Sequence, residues 1–376
     1  MSSRTEIAGR LVLGDRISRG RVVVADGVIA AVDAGDTPDE DDGSPFIAPG
    51  FVDLHVHGFG GHDAMGGRDA LDGMARGLLR RGVTSFLPTA VTAPLPGLAG
   101  FAADVRSWIP AAPGDGAEPL GFNLEGPFLA AARKGAHDPA HLVAPASLAS
   151  DALDALVDGL RVITIAPELP GALDLISRLA GSGVVVSLGH SAATVDEARR
   201  GYAAGARSTT HLFNAMSGLD HRAPGLALAA LLDDRVATEL IADGFHVAEA
   251  MWPLVARLKP PNRLLLVSDA LAVAGTTDVA GRIGSLAIEV VGGRAVLAGT
   301  QTLAGSVIGL NDAVRNLVAA GIPLHDAVAA ASTNPLDLLG ITDRGRLAVG
   351  RRADLVELDA DLRLRRVMRA GSWVDG

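Results

Sequence analysis

Two histidines close an apolar run near the N-terminus, Phe51-Val-Asp-Leu-His-Val-His57. On a β-strand, residues two apart share a face, so His55 and His57 point the same way. Alone, the pair reads either as polar residues at a strand end or as half of a metal site. The rest of the chain bears on that choice. Glu125 ends the run Leu120–Gly126, His190 ends Val184–His190, and His211 follows Ser208-Thr-Thr. His246 follows Ile-Ala-Asp-Gly-Phe, and Asp269 follows Leu264-Leu-Leu-Val-Ser. Four imidazoles and a carboxylate suit a borderline divalent ion, and one bridging carboxylate could hold two of them. Zn²⁺ fits this set best, with Fe²⁺, Mn²⁺ and Co²⁺ open, at one or two ions per subunit. Each residue also has an ordinary reading. His190 or His211 could be a hydrogen-bonded core histidine, Glu125 a turn residue before Gly126-Pro127, and Asp269 a helix N-cap. Together those readings require every one of them to fall independently at the same end of a strand. His62, His141, His221 and His325 fall in loops or helices and carry no such pattern.

The elements that must position these residues alternate along the chain. Strand candidates are Phe51–His57, Ser85–Ala90, Leu120–Gly126, Val162–Pro167, Val184–His190, Ser208–Asn214, Ala237–Gly244 and Leu264–Ala270. Helical stretches such as Asp69–Arg81, Gly171–Ala180, Val195–Ala204 and Val247–Leu258 lie between them. Eight strands, each followed by a helical stretch, predict an α/β fold, a (β/α)8 TIM-like barrel with its active site at the strands' C-terminal ends. A doubly wound open sheet is the alternative, weakened by the lack of a GxGxxG turn after the first strand. Arg10–Ala34 and Gly345–Val374 instead alternate with period two and have Gly or Asp turns. The two ends are expected to combine into one small β-sandwich domain, residues 1–50 plus 342–376, beside a barrel spanning 51–341. Gly281–Thr300 reads as a hairpin turning at Gly292-Gly293.

Composition narrows the partners. The 376 residues carry a net charge of −10 with no basic stripe, which argues against nucleic acid. Cysteine is absent, which excludes disulfides, thiolate metal sites and a Cys nucleophile. No apolar run approaches membrane-spanning length, so a cytoplasmic protein with no membrane partner is expected.

The motifs HVHG, NLEGPF, KGAH at Lys134–His137, SLGHS, THLFNAM, ADGFH and VSDA resemble the series found in N-acetylglucosamine-6-phosphate deacetylases of the amidohydrolase superfamily. The resemblance runs through the whole chain. It implies metal-dependent hydrolysis of the N-acetyl amide of an amino-sugar phosphate, in amino-sugar catabolism and cell-wall recycling. It further implies that Glu125, His190 and His211 hold the principal ion, and that His55 and His57 hold a second one with Glu125 bridging. Asp269 resembles the general base and acid, and His137 the residue that helps polarise the amide carbonyl. Asn214, the Ala215 backbone and His246 resemble sugar-phosphate contacts, and Leu303 a residue packing near the acetyl group. Arg222 resembles a phosphate contact supplied across a homodimer interface, although the adjacent His221 could meet the phosphate instead. The apolar segment Phe128–Arg133 is expected to form part of a lid. Two rival readings are weaker. A cyclic-amide hydrolase of the dihydroorotase type usually needs a carboxylated lysine, and neither Lys134 nor Lys259 closes a strand. A non-catalytic metal-bound scaffold predicts a lost general base, and Asp269 is present.

Overall fold

The computed structural model describes residues 4–35, 43–149 and 152–374. The β-branched runs form strands whose residues are almost all buried, because the barrel interior covers one face and the helical layer the other. Eight strands pair in parallel in chain order: Phe51–Val56, Val83–Val91, Phe122–Glu125, Leu160–Ile165, Val185–Leu188, Ser208–Thr209, Ala237–Leu240 and Leu264–Leu266. The seam between the eighth and first strands is closed just past the eighth. Asp269 N–H donates to His55 O at 2.9 Å, and His57 N–H donates to Ala270 O at 2.9 Å. The expected barrel is present.

The third strand departs from the expected repeat. Residues 126–149 run as a loop with 3₁₀ turns at Ala131–Arg133, Pro139–His141 and Pro145–Ser147, and a single helical turn, Asp154–Val157, precedes the fourth strand. Pro127, Pro139 and Pro145 each remove a backbone donor and prevent a continuous helix. Phe128–Ala130, expected as part of a lid, is buried and fastened to the barrel. Ala166 N–H donates to Phe128 O at 2.8 Å, and Ala130 N–H donates to His190 O at 2.9 Å.

The predicted Gly292-Gly293 turn joins Leu286–Val291 to Arg294–Leu297. Ala280–Ile283 and Leu303–Gly305 flank that hairpin and extend it to four strands. The chain ends share one seven-stranded hydrogen-bonded path, ordered Ser372–Val374, Leu364–Arg369, Leu355–Leu358, Phe46–Pro49, Arg4–Val12, Ile17–Ala25, Val28–Ala34. Its inward residues, among them Ile7, Leu11, Val22, Ile47, Leu355 and Met368, make a core separate from the barrel's.

Candidate metal centre

The strands deliver their polar residues through sharp turns at the barrel mouth. His190, His211 and Asp269 have φ of 46°, 26° and 50°, in the left-handed region that costs a side-chain-bearing residue on the order of 1–3 kcal/mol. Such strain persists only where the surroundings over-determine it. Two glycines make room here. Gly126, directly after Glu125, has φ 97°, and a Cβ on it would lie 2.1 Å from Thr92 Oγ1. A Cβ on Gly189, directly before His190, would lie 2.6 Å from Thr210 Cβ.

Glu125 stands at the centre and divides its two oxygens. Oε1 lies 2.9 Å from His190 Nε2 and 2.8 Å from His211 Nε2. Oε2 lies 3.1 Å from His57 Nε2 and 3.6 Å from His55 Nε2. Asp269 Oδ1 is 3.2 Å from His57 Nε2 and 3.6 Å from His55 Nε2. The far nitrogens fix the tautomers. His190 Nδ1 donates to Arg133 O at 2.8 Å, His57 Nδ1 to Thr89 O at 3.1 Å, and His55 Nδ1 to Glu239 Oε2 at 3.1 Å. With Nδ1 committed as a donor in all three, Nε2 is the nitrogen that faces the carboxylates and that would take a cation in place of a proton. Imidazole nitrogens and carboxylate oxygens converging on one point suit a divalent cation, which the set fits in number and type.

His137 differs. Its ring also lies near Glu125 and His190, at ligand-like separations. However, Thr92 N–H donates to His137 Nδ1 at 3.3 Å and Thr92 Oγ1 lies 2.8 Å from the same nitrogen; with Nδ1 taken up by Thr92, Nε2 is the nitrogen left to donate, 3.2 Å from Glu125 Oε2. His137 is thus arranged as a hydrogen-bond donor rather than a ligand, and His211 is the better partner for His190.

Electrostatics agree with this division. Burial, aided by His137 and His211, brings His190 down to about 4 against the pull of Glu125, which keeps it neutral. Burial also opposes charge on His55 and His57, but carboxylates win at both. Glu125 and Glu239 raise His55 well above its usual value, and Asp269 and Glu125 raise His57 to about 9. The Glu125 carboxyl, despite its burial, is held well below its usual range by His55, His137 and His190. Asp269, also buried, is lowered by His57 and His55 and stays ionised. The negative potential that raises His55 and His57 equally favours a cation.

Glu125, His137, His190, His211 and Asp269 line an open cavity of ≈ 380 Å³ that also takes in Asn214, Ala215, His246 and Leu303. A larger cavity of ≈ 440 Å³ lies near the start of the first and eighth strands, beside Pro49 and Pro261, and has no comparable cluster of ligating groups. His246 Nδ1–H donates to Asp243 Oδ2 at 2.7 Å. Arg222 is exposed on the loop after the sixth strand and does not line the cavity of its own chain. Sequence reasoning missed four supporting residues: Asp53, Thr92, Glu239 and Asp243. Asp53 and Glu239 are acidic residues buried inside barrel strands, a signal that was there to be used. Burial raises Asp53 to about 6, and its Oδ1 accepts from His55 N–H and Ser268 N–H across the barrel seam.

The amidohydrolase family model matches residues 46–374. The chain belongs to this family. It is 38% identical over 360 residues to the N-acetylgalactosamine-6-phosphate deacetylase of Escherichia coli O157:H7, covering 94% of this chain and 93% of that protein. It is 38% identical over 354 residues to the N-acetylglucosamine-6-phosphate deacetylase of Bos taurus, covering 89% and 84% respectively. Among solved structures, this amidohydrolase superposes with TM-score 0.91 at 39% identity on a mutant N-acetyl-D-glucosamine-6-phosphate deacetylase from Mycobacterium smegmatis in complex with N-acetyl-D-glucosamine-6-phosphate, over 99% of both chains. A D-hydantoinase at 14% identity and TM-score 0.64 shares the fold alone.

Proposed function

We propose that this amidohydrolase hydrolyses the N-acetyl amide of N-acetyl-D-glucosamine 6-phosphate to D-glucosamine 6-phosphate and acetate. One observation carries the reading. Glu125 divides its oxygens between two imidazole pairs, with the ionised Asp269 beside one of them. In this reading Glu125, His190 and His211 would hold the principal ion, and His55 and His57, with Glu125, would hold a second one. Zn²⁺ matches the donor set best, with Fe²⁺, Mn²⁺ and Co²⁺ as alternatives. Bound there, a divalent ion supplies a water pKa near 7 and a polarised carbonyl.

The chain's own groups do the rest. Asp269 accepts the proton of the attacking water as oxygen bonds to the acetyl carbon. It then returns that proton to the nitrogen as the C–N bond breaks, because an amine cannot leave as an anion. His137 donates its Nε2 proton in a hydrogen bond to the carbonyl oxygen as charge builds there. Leu303 packs against the acetyl methyl. Asn214, the Ala215 backbone and His246 take the sugar phosphate, which offers remote binding energy for orienting the amide. The exposed Arg222 reaches the phosphate of a second copy in a cytoplasmic homodimer. Its planar guanidinium suits a phosphate better than an ammonium does.

A second reading exchanges the sugar for N-acetyl-D-galactosamine 6-phosphate, which the similarity to the Escherichia coli enzyme favours. Acetate release from the two 6-phosphates and from unphosphorylated N-acetylglucosamine tests both readings. The glucosamine 6-phosphate derivative should give the highest kcat/KM and the unphosphorylated sugar the lowest. Preference for the galactosamine derivative selects the second reading, and no acetate from either phosphate rejects both.

A further inference from the structure

The seventh barrel strand, Ala237–Leu240, carries a carboxylate that this chemistry leaves unused. Glu239 is 1% exposed, in a strand otherwise made of Ala, Thr and Leu. Burying an ionisable group is costly unless its partners repay it. Glu239 Oε2 accepts from His55 Nδ1 and from the His211 backbone N–H, each at 3.1 Å. One oxygen thus touches both halves of the metal centre, the His55–His57 pair from the first strand and the His211 turn after the sixth.

The two contacts act differently. At His55 the carboxylate holds Nδ1 as the donor, so that Nε2 is the nitrogen turned toward Glu125, and makes that nitrogen a stronger donor to a cation. At His211 it holds the main chain at φ 26°. That hold matters because His211 Nδ1 has no hydrogen-bond partner, whereas His55, His57 and His190 are each anchored through Nδ1. The His211 ring therefore takes its aim from its backbone. We propose that Glu239 is a positioning residue that couples the two metal subsites, setting the donor strength of His55 and the aim of His211 together. The inference rests on the two-subsite reading of the cluster given above.

The test is Glu239→Gln, which keeps shape and one acceptor oxygen but removes the charge, read by ions bound rather than by turnover alone. Zn²⁺ bound per chain and its dissociation constants are measured by chelator competition, and the visible spectrum of Co²⁺-loaded protein reports ligand geometry. Loss of such an outer carboxylate typically weakens metal binding 10–100-fold. At least a tenfold weakening is expected at each subsite, with a shifted Co²⁺ spectrum and an unchanged melting temperature of the metal-free protein. In a His55→Ala background the change should still weaken the remaining ion, through His211. Should Glu239→Gln fail to fold, Glu239→Asp, whose shorter side chain withdraws from His55, is read by the same criterion. A folded variant that binds both ions with wild-type affinity and spectrum overturns the inference, as does a variant whose effect vanishes entirely in the His55→Ala background. Wild-type protein that takes up no ion rejects the metal reading itself, and this inference with it.

Discussion

At Asp269 the backbone and the side chain place separate demands on the residue. The φ of 50° disfavours most side chains, whereas the carboxylate must lie 3.2 Å from His57 Nε2. Asparagine tolerates that backbone and has the same shape. Asp269→Asn should therefore fold and retain the ion held by Glu125, His190 and His211, yet lose kcat by on the order of 10²-fold or more. His137→Asn should behave alike, since His137 Nε2 carries a proton, whereas His190→Ala should lose metal as well as activity. Elemental analysis beside steady-state kinetics separates the two classes. A metal-depleted His137→Asn would make His137 a ligand. Residues that end apolar runs, such as His190 and Asp269, were legible in the sequence because position and chemistry coincide there. Thr92 was not, because a threonine after a strand looks like any turn residue, and its contact to His137 spans 45 positions.

Among the elements, the four-stranded excursion after the barrel walls one side of the cavity. Its packing against Val91, Ala136 and Leu271 brings Leu303 to the mouth. If Leu303 meets the acetyl methyl, Leu303→Ala should raise kcat/KM for an N-propionyl substrate relative to the N-acetyl one by about tenfold, the usual scale for one methylene in an apolar pocket. An unchanged ratio would place the acyl group elsewhere. The barrel strands and the glycine turn of this excursion could be read from β-branched runs and punctuation. The helix Leu95–Trp108 could not, since Gly97 and Gly100 interrupt its apolar pattern. Nor could the two extra strands of the excursion, whose pairing depends on tertiary contacts.

Across the whole molecule, Glu118 ties the barrel to the C-terminal segment. It meets Arg344 at 2.9 Å, Arg369 at 3.6 Å, and Arg352. Burial pushes its carboxyl up, but Arg352 and Arg344 prevail and hold it below the usual range. A carboxylate with a lowered folded pKa stabilises the fold above its unfolded value, near 4.5, and loses that share as pH falls through the folded value. Glu118→Ala should cost about 2 kcal/mol at neutral pH, less than the 3–5 kcal/mol of a fully buried pair because Glu118 is 29% exposed. Urea denaturation should show the gap between variant and wild type closing below pH 4.5, and a gap independent of pH would show that Glu118 does not stabilise the fold through its charge. Arg222 poses the larger question of assembly. Arg222→Ala should raise KM for the 6-phosphate sugar far more than for the unphosphorylated one. Mixing Arg222→Ala with Asp269→Asn protomers should restore part of the activity, because one site of each mixed dimer then carries neither lesion. Exchange of subunits without recovery would make each active site self-contained. The chemistry proposed for the barrel mouth depends on an ion held by the convergent imidazoles and Glu125. The most direct measurement of that dependence is acetate release from N-acetyl-D-glucosamine 6-phosphate by protein stripped with a chelator and then titrated with Zn²⁺, with bound ions counted at each step. Turnover should be absent from the stripped protein and should return in proportion to occupancy, whereas a stripped protein that releases acetate at the full rate would contradict it.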